Sequence, residues 1–245
     1  MFFSRHIFLG SLILLFSFWS FAQEKAFRLS FSSSYKNENV FRGAETWPAP
    51  TFFIDPSLVV YEKIFIQGTT LLYSFFNKDS PFYLKMGLSY IDDNKPYLDT
   101  SNHREDYRNK RPSSLELSTS FRYHFGLKNS FYVGLNYFKE VRNHLGQFVE
   151  FTAGFPLLPY SSLHIKSGRG DLLANQYIYG PSASSGEGYR SALLSFKIPH
   201  VSWEGMIEAH VERFWVVQTK NRDAEYIKGK YINDTLSLMF VWKLI

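Results

Sequence analysis

Few residues in this chain have the type and spacing that chemistry needs. His164 precedes Ser167, and Ser184-Ser185-Gly186-Glu187 sets two hydroxyls beside a carboxylate. A hydrolytic nucleophile needs a base within hydrogen-bond reach and a third group to orient that base. Neither stretch supplies that arrangement, and a Ser/Gly run is ordinarily a flexible connection. Metal ligation fares no better: the seven histidines are scattered, none four residues from another, and there is no cysteine. Asp92, Asp93, Asp99, Glu105 and Asp106 lack the spacing of a calcium loop and read as a solvated segment. Gly168-Arg169-Gly170-Asp171 contains an Arg-Gly-Asp triplet, a three-residue match that chance supplies often. The expectation is a protein with no catalytic residues, no metal and no cofactor.

One constellation remains. Glu208, His210 and Glu212 occupy alternate positions of residues 201–218, VSWEGMIEAHVERFWVVQ. Trp203, Gly205, Ile207, Ala209, Val211, Arg213, Trp215 and Val217 fill the intervening ones. Period-two alternation belongs to a strand with two unlike faces. Trp203 and Trp215 share the apolar face, twelve positions apart. At about 3.4 Å per residue that is about 40 Å of strand. Tilted by about 40–45°, it spans about 28–31 Å, close to an apolar membrane band with an aromatic girdle at each rim. The stretch therefore reads as one stave of a transmembrane β-barrel, and the Glu/His row as part of a polar lumen network. The same alternation assigns Arg28, Glu116, Arg122, His124, Glu150, His164, Lys166, Lys197 and Glu204 to the lumen, and Trp242 to the girdle with Trp203 and Trp215. The lumen set mixes five carboxylates with four fixed cations and three histidines. Mixed signs in a narrow barrel suit paired, space-filling groups better than a selective ring of one sign.

The rest of the chain fits this stave. Of 245 residues, 25 are Phe, 16 Tyr and 5 Trp, a supply of interfacial anchors. The one long apolar run lies at the start. Arg5 and His6, the hydrophobic residues 7–19 and Ser20-Phe21-Ala22 have the order of a signal peptide cleaved after Ala22. Residues 1–22 are thus predicted to be a signal peptide and residues 23–245 the barrel of an exported protein that needs no disulfide. Alternating or apolar runs recur to the C-terminus: residues 25–36, 51–61, 64–76, 82–90, 115–125, 131–138, 148–155, 162–166, 189–197, 201–218 and 236–244. Short turns tend to alternate with long connections, at 92–112, 167–188 and 219–234 among others. This predicts an all-β fold, a transmembrane antiparallel up-and-down β-barrel of 10–12 strands in the outer membrane of a Gram-negative-type bacterium. Eleven runs cannot return the chain to the rim where it started, so one strand is surplus or missing within residues 26–76. The mild net charge of +5 suits basic loops against anionic lipid and lipopolysaccharide, and nothing points to nucleic acid.

Residues 39–68, NVFRGAETWPAPTFFIDPSLVVYEKIFIQG, resemble the MipA/OmpV family of outer-membrane proteins (the MltA-interacting protein family). Phe41-Arg42-Gly43, Pro50, Tyr61 and the arm Phe65 to Gly68 fill the family's aromatic-x-Gly, Pro-strand-Tyr and aromatic-arm places. Gln176-Tyr177-Ile178-Tyr179-Gly180 resembles its Tyr-rich loop. The resemblance implies a non-enzymatic scaffold or interaction protein at the cell envelope, with peptidoglycan-processing enzymes as partners. Two alternatives stand beside it: a small outer-membrane pore for solutes, and an outer-membrane lipid-modifying enzyme.

Overall fold

The computed structural model describes residues 27–47, 50–76, 80–91, 113–126, 131–200, 205–227 and 230–243. The predicted signal peptide, the 92–112 connection, Trp203 and Glu204 lie outside them. Twelve strands close an antiparallel barrel. In chain order they are β1 (Phe27–Lys36), β4 (Thr51–Val60), β5 (Ile64–Gln67), β6 (Thr70–Ser74), β7 (Phe82–Ile91), β8 (Ser114–His124), β9 (Tyr132–Glu140), β10 (Gln147–Leu158), β11 (Ser161–Gly170), β12 (Gly186–His200), β13 (Gly205–Val216) and β14 (Ile232–Lys243). Each pairs with its neighbour in sequence, and β1 closes on β14 through Ser30↔Lys243 to Lys36↔Ser237. Closure leaves no free sheet edge, which is the condition for crossing lipid with strands. A separate hairpin, β2 (Asn39–Phe41) with β3 (Ala44–Trp47), belongs to the first long connection. Two short helices, α1 (Leu172–Tyr179) and α2 (Thr219–Arg222), lie in later ones.

The strand count resolves the parity problem. The run 64–76 is two strands, β5 and β6, turning at Gly68 and Thr69. Gly68 takes φ +52, and a Cβ there would sit 3.1 Å from the Asp55 carboxylate. The tip is pinned on both sides: Gly68 N–H donates to the Pro56 carbonyl at 3.2 Å, and the Thr69 hydroxyl to the Tyr90 carbonyl at 2.7 Å.

The two faces of the wall are opposite in character. Outward positions are apolar and exposed, for example Ile54 at 63% and Phe151 at 62%, with Leu71, Met86, Leu117 and Val211 also on the surface. In a soluble barrel these side chains would point inward, so their exposure identifies the lipid face. At the turn end a belt of rings runs Phe76, Phe82, Tyr123, Phe125, Phe131, Phe155, each about 5–6 Å from the next. The girdle at that rim is thus largely Phe and Tyr. Trp242 stacks on Phe240 near the same end, and Trp215 lies at the loop end, paired with Ile232.

Inward positions alternate small and large. Tyr132 on β9 lies across Gly154 on β10, where a Cβ would meet the ring at 2.0 Å. The Phe148 ring covers Gly168 on β11 in the same way, at 2.5 Å. A ring folded over a neighbouring glycine lets one residue occupy two strands' worth of wall.

Candidate functional site

The chain's buried apolar core sits in the mouth of the barrel at the loop end. Ala44, Phe148, Ile178, Tyr179, Tyr189 and Val216 are all nearly inaccessible there. Residues 37–50, 171–185 and 217–231 supply much of that core, so the long connections fold into a plug.

The plug is centred on the β2–β3 hairpin. Its turn residues Arg42 and Gly43 have φ 49 and 85, the positive values a two-residue hairpin turn requires. Gly43 is also a close approach, because a Cβ would stand 2.7 Å from Cβ of Tyr189. Arg42 enters the lumen and donates from Nη1 and Nη2 to the two carboxylate oxygens of Glu116 on β8, at 2.7 and 2.9 Å. Its guanidinium lies 4.4–4.6 Å from the ring centres of Phe41, Phe138 and Phe148. Both charges are buried, at 9% and 3% exposure. The Tyr179 hydroxyl donates to the Arg42 carbonyl, and Asn233 Nδ2 to the Gly43 carbonyl, each at 2.9 Å. Lys230 ties the hairpin's stem through Glu38 and Glu45.

Helix α1 is the second part of the plug. Asp171 caps it, its side chain accepting from Ala174 N–H at 2.8 Å, and it also accepts from Gln147 N–H at 3.0 Å. The aspartate of the Arg-Gly-Asp triplet is therefore engaged in helix capping. Fully buried Asn175 donates to the Ser184 carbonyl at 2.7 Å. Residues 141–146 brace the helix from outside. Glu140, at the end of β9, accepts from the N–H groups of Leu115, Arg142, Asn143, His144 and Leu145 at 2.8–3.2 Å. Gly146 then lies so close to α1 that a Cβ would be 2.4 Å from Ala174 N.

His144 stacks on Tyr177 of α1, with ring centres 4.2 Å apart, and its Nδ1 accepts from Gly146 N–H at 3.0 Å. Burial, the largest cause, pushes its pKa below the ordinary imidazole value of about 6.5. The folded loop therefore holds a proton less readily than the opened one. The contribution is complete above about pH 6.5 and is lost as pH falls toward the depressed folded value. The protection factor of the Ala174 to Tyr177 amides, the exchange rate taken relative to the intrinsic base-catalysed rate, should fall between pH 7 and 5 in the parent. In His144→Phe, which keeps the stack and cannot titrate, that fall should vanish; an unchanged pH dependence would remove His144 from this role.

Toward the turn end partly buried inward residues such as Lys85, Arg122 and His164 stand among buried ones, Ser74, Ser195 and Glu208. The wall from β11 to β13 carries paired charges. Lys166 meets Glu212 at 3.0 Å, and the Ser191 hydroxyl donates to the same carboxylate at 2.7 Å. Lys197 and His210 both meet Glu208, at 3.1 and 3.2 Å. The wall from β7 to β9 carries Lys85 and Arg122 against rings. Its neighbour His164 is held by Ser162 at 2.7 Å and by the Tyr132 hydroxyl at 2.8 Å.

The lumen set named from sequence thus falls into separate groups. Glu116 serves the plug. Lys166 pairs with Glu212 and Lys197 with Glu208 between near strands, and His210 meets Glu208 along β13. Arg122, His124 and His164 lie around Tyr132. Glu150 accepts from Asn136 at 2.8 Å and from Tyr189. Arg28 meets Glu62 at 3.3 Å at the turn-end rim. Sequence reading missed Arg42, Glu140, Tyr83 and Lys85. The last two follow from alternation, since Phe82, Leu84 and Met86 occupy the other positions of β7; Arg42 and Glu140 carry no such signal. Among the described residues no group of three His, Asp or Glu is placed to hold a metal.

A closed barrel with an apolar exterior, a polar interior, tight turns at one rim and long connections at the other is a transmembrane β-barrel of the outer-membrane type. The protein is an outer-membrane β-barrel. No protein-family model matches the chain, and no curated protein matches it. Among solved structures it is similar to the KdgM porin at 9% identity and TM-score 0.44, covering 88% of this chain and 99% of that one. The NanC porin gives 6% identity and 0.44, over 89% and 100%. An outer membrane channel from Pseudomonas putida F1 gives 9% and 0.43, over 91% and 97%.

Proposed function

We propose that the protein is a gated solute channel of the outer membrane, shut at its outer mouth by its own loops. One observation carries this reading: accessibility along the lumen is graded. The loop end is sealed by the folded connections, with Glu116 at 3% and Val216 at 0%, whereas toward the turn end the buried Ser74, Ser195 and Glu208 are interspersed with partly accessible Lys85, Arg122 and His164. A small barrel built for stability alone fills its interior with side chains along its whole length. Here the filling is concentrated at one end, and a polar latch between a loop and the wall holds it there. Such a latch has two states, seated and released.

Planar-bilayer recording tests the proposal. The parent should open rarely. A variant with residues 38–47 replaced by a Gly/Ser linker should conduct steadily. If that variant keeps the heat-modifiable gel mobility of a folded barrel and still passes no current, the channel reading fails. The likeness of residues 39–68 to the MipA/OmpV family supports a second reading, a scaffold for peptidoglycan-processing enzymes. Capture of such enzymes by the parent, together with a silent linker variant, would favour it.

A further inference from the structure

Among the described residues two cations in the turn-end lumen meet no carboxylate, and the wall around them is built differently from the rest. Lys85 Nζ stands 3.7 Å from the centre of the Phe65 ring and 4.7 Å from that of Tyr83. The Arg122 guanidinium lies 5.4 Å from Tyr83 and 4.4 Å from Tyr132. Tyr132 in turn lies 5.8 Å from the His164 ring and bonds it through its hydroxyl. The ladder Phe65, Lys85, Tyr83, Arg122, Tyr132, His164 crosses β5, β7, β8, β9 and β11. It passes β10 where Gly154 leaves room for the Tyr132 ring.

Its electrostatics contrast with the adjoining wall, β11 to β13. There Lys166 and Lys197 each meet a glutamate. Among the described residues neither Lys85 nor Arg122 forms an ion pair. Rings can hold a guanidinium by its faces and leave its N–H edge free, the edge that meets a carboxylate or phosphate with two parallel bonds. Like charges set side by side in a low-dielectric wall repel each other until an anion lies between them.

We propose that Lys85 and Arg122 form an oxyanion site in the lumen, for a small solute bearing a carboxylate or a phosphate. Arg122 takes the oxyanion edge-on, Lys85 supplies the second charge, and the Tyr83 and Tyr132 rings fix both cations. The site deepens the channel reading by giving the solute's charge, while the binding itself can be measured without any current.

Purified barrel in a zwitterionic detergent at low salt is titrated calorimetrically with succinate, with inorganic phosphate and with uncharged succinamide. At least one oxyanion should bind, weakening as salt rises, and succinamide should not. The better ligand of the two identifies the class. Arg122→Gln and Lys85→Gln should each weaken binding tenfold or more. Lys166→Gln, on the paired wall, should change it less than threefold. If Arg122→Gln does not fold, Lys85→Gln carries the test alone. No oxyanion binding, or equal loss from Lys166→Gln, overturns the site. A barrel that conducts without binding either anion refutes the site alone, and one that binds but whose linker variant never conducts refutes the channel alone.

Discussion

Glu116→Gln is expected to turn a rarely open barrel into one that conducts for most of a recording. The substitution keeps the shape of the side chain and removes the counter-charge of Arg42, which is 9% exposed and enclosed by three phenylalanine rings. Breaking a buried ion pair from one side costs about 3–5 kcal/mol, because the remaining charge is left unneutralised. Cation–π contacts with the rings offset part of that, on the order of 1 kcal/mol. The remainder, about 2 kcal/mol or more, shifts the seated-to-released ratio of the hairpin by roughly thirtyfold or more. Single-channel recording reads the change as open time. A Glu116→Gln barrel as quiet as the parent would show that helix α1 and its neighbours hold the mouth shut without the latch. The double variant Arg42→Ala, Glu116→Ala leaves no orphan charge and should open less than Glu116→Gln alone.

Glu140→Ala should free the outer loop at 141–146 while leaving the barrel standing. Five backbone N–H groups converge on that one carboxylate. Hydrogen bonds to a charged group contribute about 1.5–3 kcal/mol each, and they do not add in full when they share an acceptor. Even a net loss of about 2 kcal/mol raises the open fraction of the loop roughly thirtyfold. Because Gly146 and His144 brace α1, the looseness should spread to residues 171–180. Limited proteolysis near Arg142 should speed up by that factor, whereas the temperature at which heat-modifiable mobility is lost should stay within a few degrees. A fall in barrel stability with an intact loop would mean that Glu140 supports the wall instead.

How much of this was legible in sequence depended on which contacts were local. β8 and β13 show plain alternation, since one face meets lipid and the other meets the lumen. The run 64–76 hid a turn: Leu71, Tyr73, Phe75 and Phe76 are apolar to its end, and only Gly68 marked the reversal. The loop at 167–188 read as a flexible Ser/Gly connection, yet Asp171 and Gly180 bracket α1 as cap residues, a signal that was present and passed over. The β2–β3 hairpin is too short for a period to show. Arg42, read from sequence only within an aromatic-x-Gly element, gives no local sign of its role because its carboxylate lies 74 positions away on β8. Mixed lumen charges suggested filling by paired side chains, and pairs do form between near strands at the turn end. The filling at the loop end came from elsewhere in the chain, and composition alone holds no record of where a loop folds.

The reach of the hairpin's contacts sets the order in which the molecule can be made. Its tip is seated by bonds to Glu116, Tyr179 and Asn233, spanning 74, 137 and 190 positions of chain. Ring closure of such lengths is entropically costly until other pairings have shortened the path. The Asn233 contact needs β14, which is also the strand that closes on β1. Seating therefore follows closure, and each newly assembled molecule passes through an unstoppered stage on its way into the bilayer. On the proposed channel reading, each copy inserted would admit a brief leak before its hairpin seats.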